Sequence, residues 1–383
     1  MAFHVVPRQR KSWACTHLVL ASAVAASIAA GQQSASAHIP AHVLNQDQVV
    51  ALALGDTALL LGSKNEHLLW LVREPTAADP ARVRVLSQTM PGQYYLGDWH
   101  PGVVSVFVNG SGDNLLYALD RDSFTLQSTH RSPSPSGLRY SAVREFSSGS
   151  VIYFPDRGFG DPGEEVEIRA FDEQTGRSWA HGPVFVERKG LSVTLDGQKL
   201  VFSPPAYRSA VDSSATFDVS PHGTMLAVVK RTLSVDGTVA LRTELLDTTL
   251  QVTAVHVVRR PVVRSTPAVR RALVESALTY VVRAFEFDSV EARSAVERAM
   301  PRVDLVSPFG DVLIGDRSVV IAPSEVGLAA ERRAVAFEIR GDECQWHVPP
   351  GHLIVAVGTR TFWAIEKEPG GLAVWRQQLC SNI

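Results

Sequence analysis

From Val49 onward the chain is a succession of short apolar runs separated by polar punctuation. Ala58–Leu61, Val103–Val108, Val151–Phe154, Leu200–Phe202, Leu226–Val229, Val319–Ile321 and Leu353–Val357 are examples. They are rich in β-branched and aromatic residues and too short for helices. Turn formers bound them: Asn109-Gly110, Asp196-Gly197, His222-Gly223, Asp236-Gly237 and Gly358-Thr359. Strand-length runs with turn signals this dense predict an all-β protein of many hairpins. No Gly-rich strand-to-helix phosphate loop is present, which argues against a nucleotide-binding α/β fold.

One hairpin pattern recurs. Its clearest copy is Ala170-Phe171-Asp172-Glu173-Gln174-Thr175-Gly176-Arg177-Ser178-Trp179. Ala336–Trp346 and Ala364–Trp375 are further copies, Tyr117–Phe124 lacks the tryptophan, and Leu245–Leu250 is weaker. The physical sense is an apolar strand that ends in an acidic residue able to accept N–H groups in the turn. A glycine then supplies positive φ, and the returning strand carries a tryptophan to pack between sheets. Such hairpins cannot bury both faces alone. Stacking four-stranded units around an axis buries them and leaves only short edges.

These residues resemble the repeat of the pyrroloquinoline-quinone-like β-propellers, in which Ala-x-Asp-x-x-Thr-Gly-x-x-x-Trp marks the last two strands of a blade. Asp218–Val228 (Asp-Val-Ser-Pro-His-Gly-Thr-Met-Leu-Ala-Val) is similar to the Ser-Pro-Asp-Gly signature of bacterial propellers of the YVTN-like type, with His222 where Asp is usual. Leu195–Val201 repeats that theme. The resemblance implies an all-β β-propeller. At roughly 40–50 residues per blade, the chain after its leader gives about seven blades, with six to eight compatible. The copies are unevenly spaced: Ala118 to Ala170 is about one blade, whereas Ala336 to Ala364 is too short for one. Ring closure accounts for this if a strand near Val49–Leu54 or Ala58–Leu61 completes the last blade.

One segment departs from the strand pattern. Thr266-Pro267 is a helix-start signal, with Thr at N-cap and Pro at N1. Leu273, Ala277, Val281 and Ala284 then share one helical face. Asp288 or Ser289 is positioned to cap a second helix, Val290–Met300, that stops at Pro301. The reading is a helical insert at 266–300 in a single propeller domain, 38–383; the alternative makes Leu278–Phe287 an ordinary strand.

The first residues read as a secretory leader. Arg8, Arg10 and Lys11 precede an uncharged run, Ala14–Ala30, and the small-x-small triplet Ala35-Ser36-Ala37. Residues 1–37 are therefore expected to be a signal peptide; a retained membrane anchor is the alternative. Periplasmic or secreted localisation follows, with no transmembrane helix after cleavage. Removing the leader lowers the formal net charge from −2 to −5. Charged residues make up 20% of the chain, and this balance does not suit a nucleic-acid binder. After the leader two cysteines remain, Cys344 and Cys380, a disulfide candidate in an oxidising compartment.

Candidate chemistry is sparse. No His-x-x-x-His pair, Cys-x-x-Cys or Gly-x-Ser-x-Gly elbow occurs. Asp156–Glu165 is an acidic, Gly-rich loop that lacks the spacing of a Ca²⁺-binding loop. Asp98-Trp99-His100-Pro101-Gly102 groups polar and aromatic residues, and Trp99 and His100 are binding candidates. Trp70, Trp179, Trp346, Trp363 and Trp375 read first as core. Arg264, Arg270 and Arg271 belong to a basic stretch in an acidic protein and are candidates for docking a protein partner. The expected function is a non-catalytic binding or scaffold protein without cofactor, in peripheral association with an envelope complex. The propeller subunit of the outer-membrane barrel assembly machinery is a resembling case. The alternative is a quinone-dependent amine or alcohol dehydrogenase, or its propeller subunit, with pyrroloquinoline quinone or Ca²⁺ as cofactor.

Overall fold

The computed structural model describes residues 37–40, 49–63, 69–73, 83–86, 93–100, 103–109, 113–120, 123, 125–133, 140–155, 165–172, 174–185, 191–202, 216–234, 236–285, 288–301, 305–324, 332–338 and 343–379. Of the predicted leader, residues 1–36 lie outside them, and Ala37 is the first residue of a described strand.

The strands in chain order are β1 (Ala37–Pro40), then β2 (Val49–Leu54), β3 (Ala58–Ser63), β4 (Leu69–Arg73) and β5 (Val83–Leu86) of blade one. Blade two holds β6 (Gln93–His100), β7 (Val103–Asn109), β8 (Asp113–Asp120) and β9 (Leu126–Pro133). Blade three holds β10 (Tyr140–Glu145), β11 (Val151–Pro155), β12 (Glu165–Asp172) and β13 (Arg177–Phe185). A separate hairpin follows, β14 (Leu191–Leu195) and β15 (Gln198–Phe202). Blade four holds β16 (Thr216–Val219), β17 (Leu226–Leu233), β18 (Thr238–Leu246) and β19 (Val252–Pro261). After β20 (Val263–Arg264) come helices α1 (Pro267–Phe285) and α2 (Ser289–Ala299), then β21 (Leu305–Val306). Blade five holds β22 (Phe309–Ile314), β23 (Ser318–Pro323), β24 (Arg333–Glu338) and β25 (Glu343–His347). The last strands are β26 (His352–Val357), β27 (Thr361–Glu368) and β28 (Gly371–Gln378).

Six four-stranded antiparallel sheets result, and they form a six-bladed β-propeller. Blades one, four, five and six bury both faces against neighbours, which explains the continuous apolar runs. In Leu59-Leu60-Leu61, residues 59 and 61 pack toward blade six and Leu60 toward blade two. Val319 and Ile321 likewise pack toward blade four, and Val320 toward blade six. A strand buried on one face alone would alternate apolar with polar residues.

Blade six is completed by the N-terminus. Its order is β1-β28-β27-β26, with Ala37 opposite Val374 and Ile39 opposite Leu372. Ala37 and Ile39 are buried with Trp70, Trp363 and Val374 between blades six and one. Closure by an N-terminal strand is as expected, but the strand is Ala37–Pro40. Val49–Leu54 and Ala58–Ser63 are instead the first two strands of blade one. The irregular repeat spacing follows: Ala336–Trp346 spans the third and fourth strands of blade five, whereas Ala364–Trp375 spans the second and third of blade six.

The clearest repeat behaves as its chemistry requires. Asp172 accepts from Gln174 N (2.9 Å), Thr175 N (3.2 Å) and Thr175 Oγ1 (2.6 Å), and Gly176 takes φ +67°. The Thr175 hydroxyl leads the interactions that hold the Asp172 carboxyl below its usual pKa.

The β14–β15 hairpin, the β20–β21 ladder and the two helices form a small module with its own core. Leu191, Val193, Leu195 and Phe202 of the β14–β15 hairpin pack on Leu273, Ala277 and Val281 of α1 and Ala292 and Val296 of α2. The Leu195–Val201 theme is therefore off-blade. Both helices start as the sequence predicts. Thr266 Oγ1 accepts from Val269 N at 3.2 Å, and Asp288 Oδ1 accepts from Val290 N at 2.8 Å and Glu291 N at 3.3 Å. Leu278 sits inside α1, so the strand alternative for 278–287 does not hold. Among the described residues, no helix is long and apolar enough to cross a membrane.

Candidate functional site

The first strands of the blades lie nearest one another: β26 against β2, β2 against β6, and β16 against β22. The turns from first to second strand form a belt of polar contacts. Ser147 N donates to Gly223 O at 2.9 Å from blade three to blade four. Between blades four and five, Ile314 N donates to Asp218 Oδ2 at 3.3 Å and His222 Nε2 lies 3.3 Å from Asp316 Oδ1. Thr359 Oγ1 then donates to Asp316 Oδ2 at 3.4 Å. Asp56 Oδ1 closes the belt by accepting from Arg360 N (2.8 Å), Thr361 N (3.1 Å) and Thr361 Oγ1 (2.9 Å).

Glycine makes this approach possible. A Cβ on Gly358 would lie 2.6 Å from Gly55 O and 2.7 Å from Asp56 Oδ1, and one on Gly315 would lie 2.7 Å from Gly358 O. The matching turn in blade two is the Trp99–His100 cluster: both residues end β6, and His100 pairs with Val103. Their side chains, and Pro101-Gly102, lie outside the described residues. The acidic loop does too, apart from Glu165 at the start of β12.

A second charged group lies between blades three and four. Glu244 on β18 is buried. Lys230 Nζ stands 3.1 Å from its Oε2, Arg242 Nε 2.9 Å from its Oε1, and His181 Nε2 of β13 3.0 Å from its Oε2. Burial pushes its pKa up, but hydrogen bonds from Arg242, Lys230 and His181 prevail and hold it below the usual value. The carboxylate is thus ionised and accepts only, so the His181 Nε2 facing it carries a hydrogen. Sequence reading passed over this group; its signal was Lys230 following the apolar run Leu226–Val229 and Glu244 preceding Leu245-Leu246.

The arginine candidates separate. Arg270 on α1 donates to Pro301 O at 3.4 Å and Met300 O at 3.5 Å, so it ties the end of α2 to the start of α1. Arg264 and Arg271 are exposed. Arg271 lies near Glu275, whose carboxyl is held low chiefly by the Arg293 hydrogen bond. Arg293 grips Glu275 with two bonds, 2.6 and 3.0 Å, from α2 to α1. These residues belong to the module, and Trp99 and His100 to blade two.

Of the tryptophans, Trp70 and Trp363 are buried between blades six and one, Trp346 and Trp375 pack between blades five and six, and Trp179 packs between blades three and four. Cys344 is disulfide-bonded; Cys380 lies outside the described residues. Among the described residues, no group of three or more His, Cys, Asp or Glu side chains is placed to hold a metal.

No family model matches the chain, and no curated protein matches its sequence. Solved structures similar to it include hydrazine synthase from Kuenenia stuttgartiensis, at 11% identity and TM-score 0.41, over 88% of this chain and 97% of that one. Another is the β-propeller domain of the Trilobed protease from Pyrococcus furiosus, described as having an open velcro topology. It is 9% identical at TM-score 0.37, over 89% of this chain and 96% of that one. A streptogramin B lyase is 9% identical at TM-score 0.35, over 90% and 87% of the two chains.

Proposed function

We propose that this chain is a periplasmic or secreted binding and scaffold protein that docks a protein partner without catalysing a reaction. The observation that carries the reading is the module. Its hairpin, helices and β20–β21 ladder share a core of their own, while the blades close into a ring through β1 and β28. An element that the ring does not need for closure is free to serve as an attachment point. It presents Arg264, Arg271 and Val290, the last 78% exposed at the start of α2. Exposed arginines on an acidic protein suit an acidic partner surface.

The test is co-purification from the native envelope fraction with Arg264→Glu and Arg271→Glu combined. Arg270 is left alone because it ties the helices, and the helices are not deleted because they cover Leu191, Val193, Leu195 and Phe202. The doubly substituted protein should melt like the parent and lose its co-purifying protein. Retention of the full partner set would overturn the module's role. A quinone absorption band, or dye reduction with amines or alcohols, would overturn the non-catalytic reading. The leader proposal has its own check: N-terminal sequencing of host-derived protein should read His-Ile-Pro from His38, and a sequence starting at Met1 would refute cleavage.

A further inference from the structure

β19 is the longest strand described, ten residues from Val252 to Pro261, and it forms the outer edge of blade four. β18 pairs with it on one side, and no described residue pairs with the other. Free edges invite added strands, so proteins shorten them or interrupt them with proline. Most of the other outer strands follow that rule. β1 and β5 have four residues, β25 has five, and the nine-residue β13 carries Pro183 within it. β9 has a single exposed large apolar residue, Leu126, at its start. β19 has no proline before its final residue, and Val252, Val255 and Val257 on it are 48%, 42% and 42% exposed.

The same face carries charge of one dominant sign. Val255, Val257 and Arg259 alternate along it, and Val257 lies opposite Arg242, which lies opposite Lys230. Glu244, the carboxylate in the row beside them, is buried and already bonded to Lys230, Arg242 and His181. Asp236 lies close enough to Arg259 to offset part of its charge. Among the described residues the edge therefore offers unpaired backbone, two adjacent valines on one face and an excess of cations beside them.

We propose that β19 accepts an extended acidic segment of a partner protein as a fifth strand of blade four. The added backbone would pair with the free edge, and the side chains on its matching face would be apolar where they cover Val255 and Val257 and carboxylates where they meet Arg259 and reach toward Arg242. This deepens the binding reading and rests on it. It names the partner's chemistry and puts the contact beside the module, since β20 follows β19 directly.

The experiment uses the purified full chain and a fluorescein-labelled nine-residue valine–glutamate peptide, Thr-Glu-Thr-Val-Thr-Val-Thr-Glu-Thr, which presents its valines and glutamates on one face, read by anisotropy. Saturable binding is expected. Val255→Thr with Val257→Thr should weaken it at least about fivefold, and Arg259→Glu about tenfold. A valine–lysine peptide should not bind, nor should a backbone N-methylated valine–glutamate peptide. Absence of binding overturns the proposal. So does equal binding of the N-methylated peptide, which would mean charge attraction without strand pairing, or a dimer of this chain that Val257→Thr dissolves, which would mean the edge is taken by a second copy. Failure here leaves the co-purification test of Arg264 and Arg271 to decide the broader reading separately.

Discussion

Replacing Glu244 by Gln removes one charge from the contact between blades three and four while keeping its volume and one acceptor. Deleting one partner of a buried ion pair typically costs about 3–5 kcal/mol, because the opposite charge is stranded. Here the cost is smaller. Glu244 is 6% exposed at its side chain, but Lys230 is 30% and Arg242 54% exposed, and both can recover water. A loss of roughly 1–3 kcal/mol at pH 7 is expected, measured by urea unfolding of parent and variant. The pH dependence gives a sharper check. Glu244 titrates below its usual value in the folded protein, so its stabilisation is present above the unfolded value near 4.5 and is lost as pH falls through the lower, folded value. The gap between parent and variant should be widest near neutrality and close below about pH 4. A gap equally large at pH 3.5 and pH 7, or none at pH 7, would refute the argument.

Two further outcomes concern the seam and the disulfide. Gly358→Ala should lower stability by about 2 kcal/mol or more, since the new methyl meets backbone at Gly55 and the carboxylate that binds Thr361; thermal unfolding unchanged from the parent would contradict the packing described. Non-reducing peptide mapping should link Cys344 to Cys380, which follows Leu379, a residue packed in the cluster that contains Cys344. A link to Cys15 would refute that pairing, and Cys344→Ser should cost about 2–4 kcal/mol by opening a loop of roughly 36 residues.

The fold was legible where local chemistry and global packing agree. Asp172, Thr175 and Gly176 announce a turn that nearly any neighbouring sheet would accept. Thr266-Pro267 and Asp288 mark helix starts through bonds to N–H groups two or three residues away. Blade number was less legible. Leu195-Asp196-Gly197-Gln198 makes the same hairpin in a blade or on a helix, and only the long-range contact with α1 and α2 distinguishes them. The closing strand was hidden for a related reason. Ala37-His38-Ile39-Pro40 is only four residues, the first of them within the segment that reads as a leader, and its strand character comes from β28, distant in sequence. The same holds for Asp56 and for the His181 contact of Glu244, which reach across to other blades. Short-range patterns show that a carboxylate stands in a strand or a turn, but its partner on the next blade depends on how the ring closes.

The central claim is that an N-terminal strand closes a six-bladed ring by pairing with β28. Cysteines placed by His38→Cys and Ala373→Cys, which face each other in the register, test it directly in the host-derived protein. Mild oxidation should join them in high yield. The joined protein should resist unfolding more than its reduced form, by up to about 5 kcal/mol, because the bond closes a loop of roughly 340 residues. Failure of the pair to form, with His38→Asp and Ile39→Asp leaving stability unchanged, would contradict closure through β1.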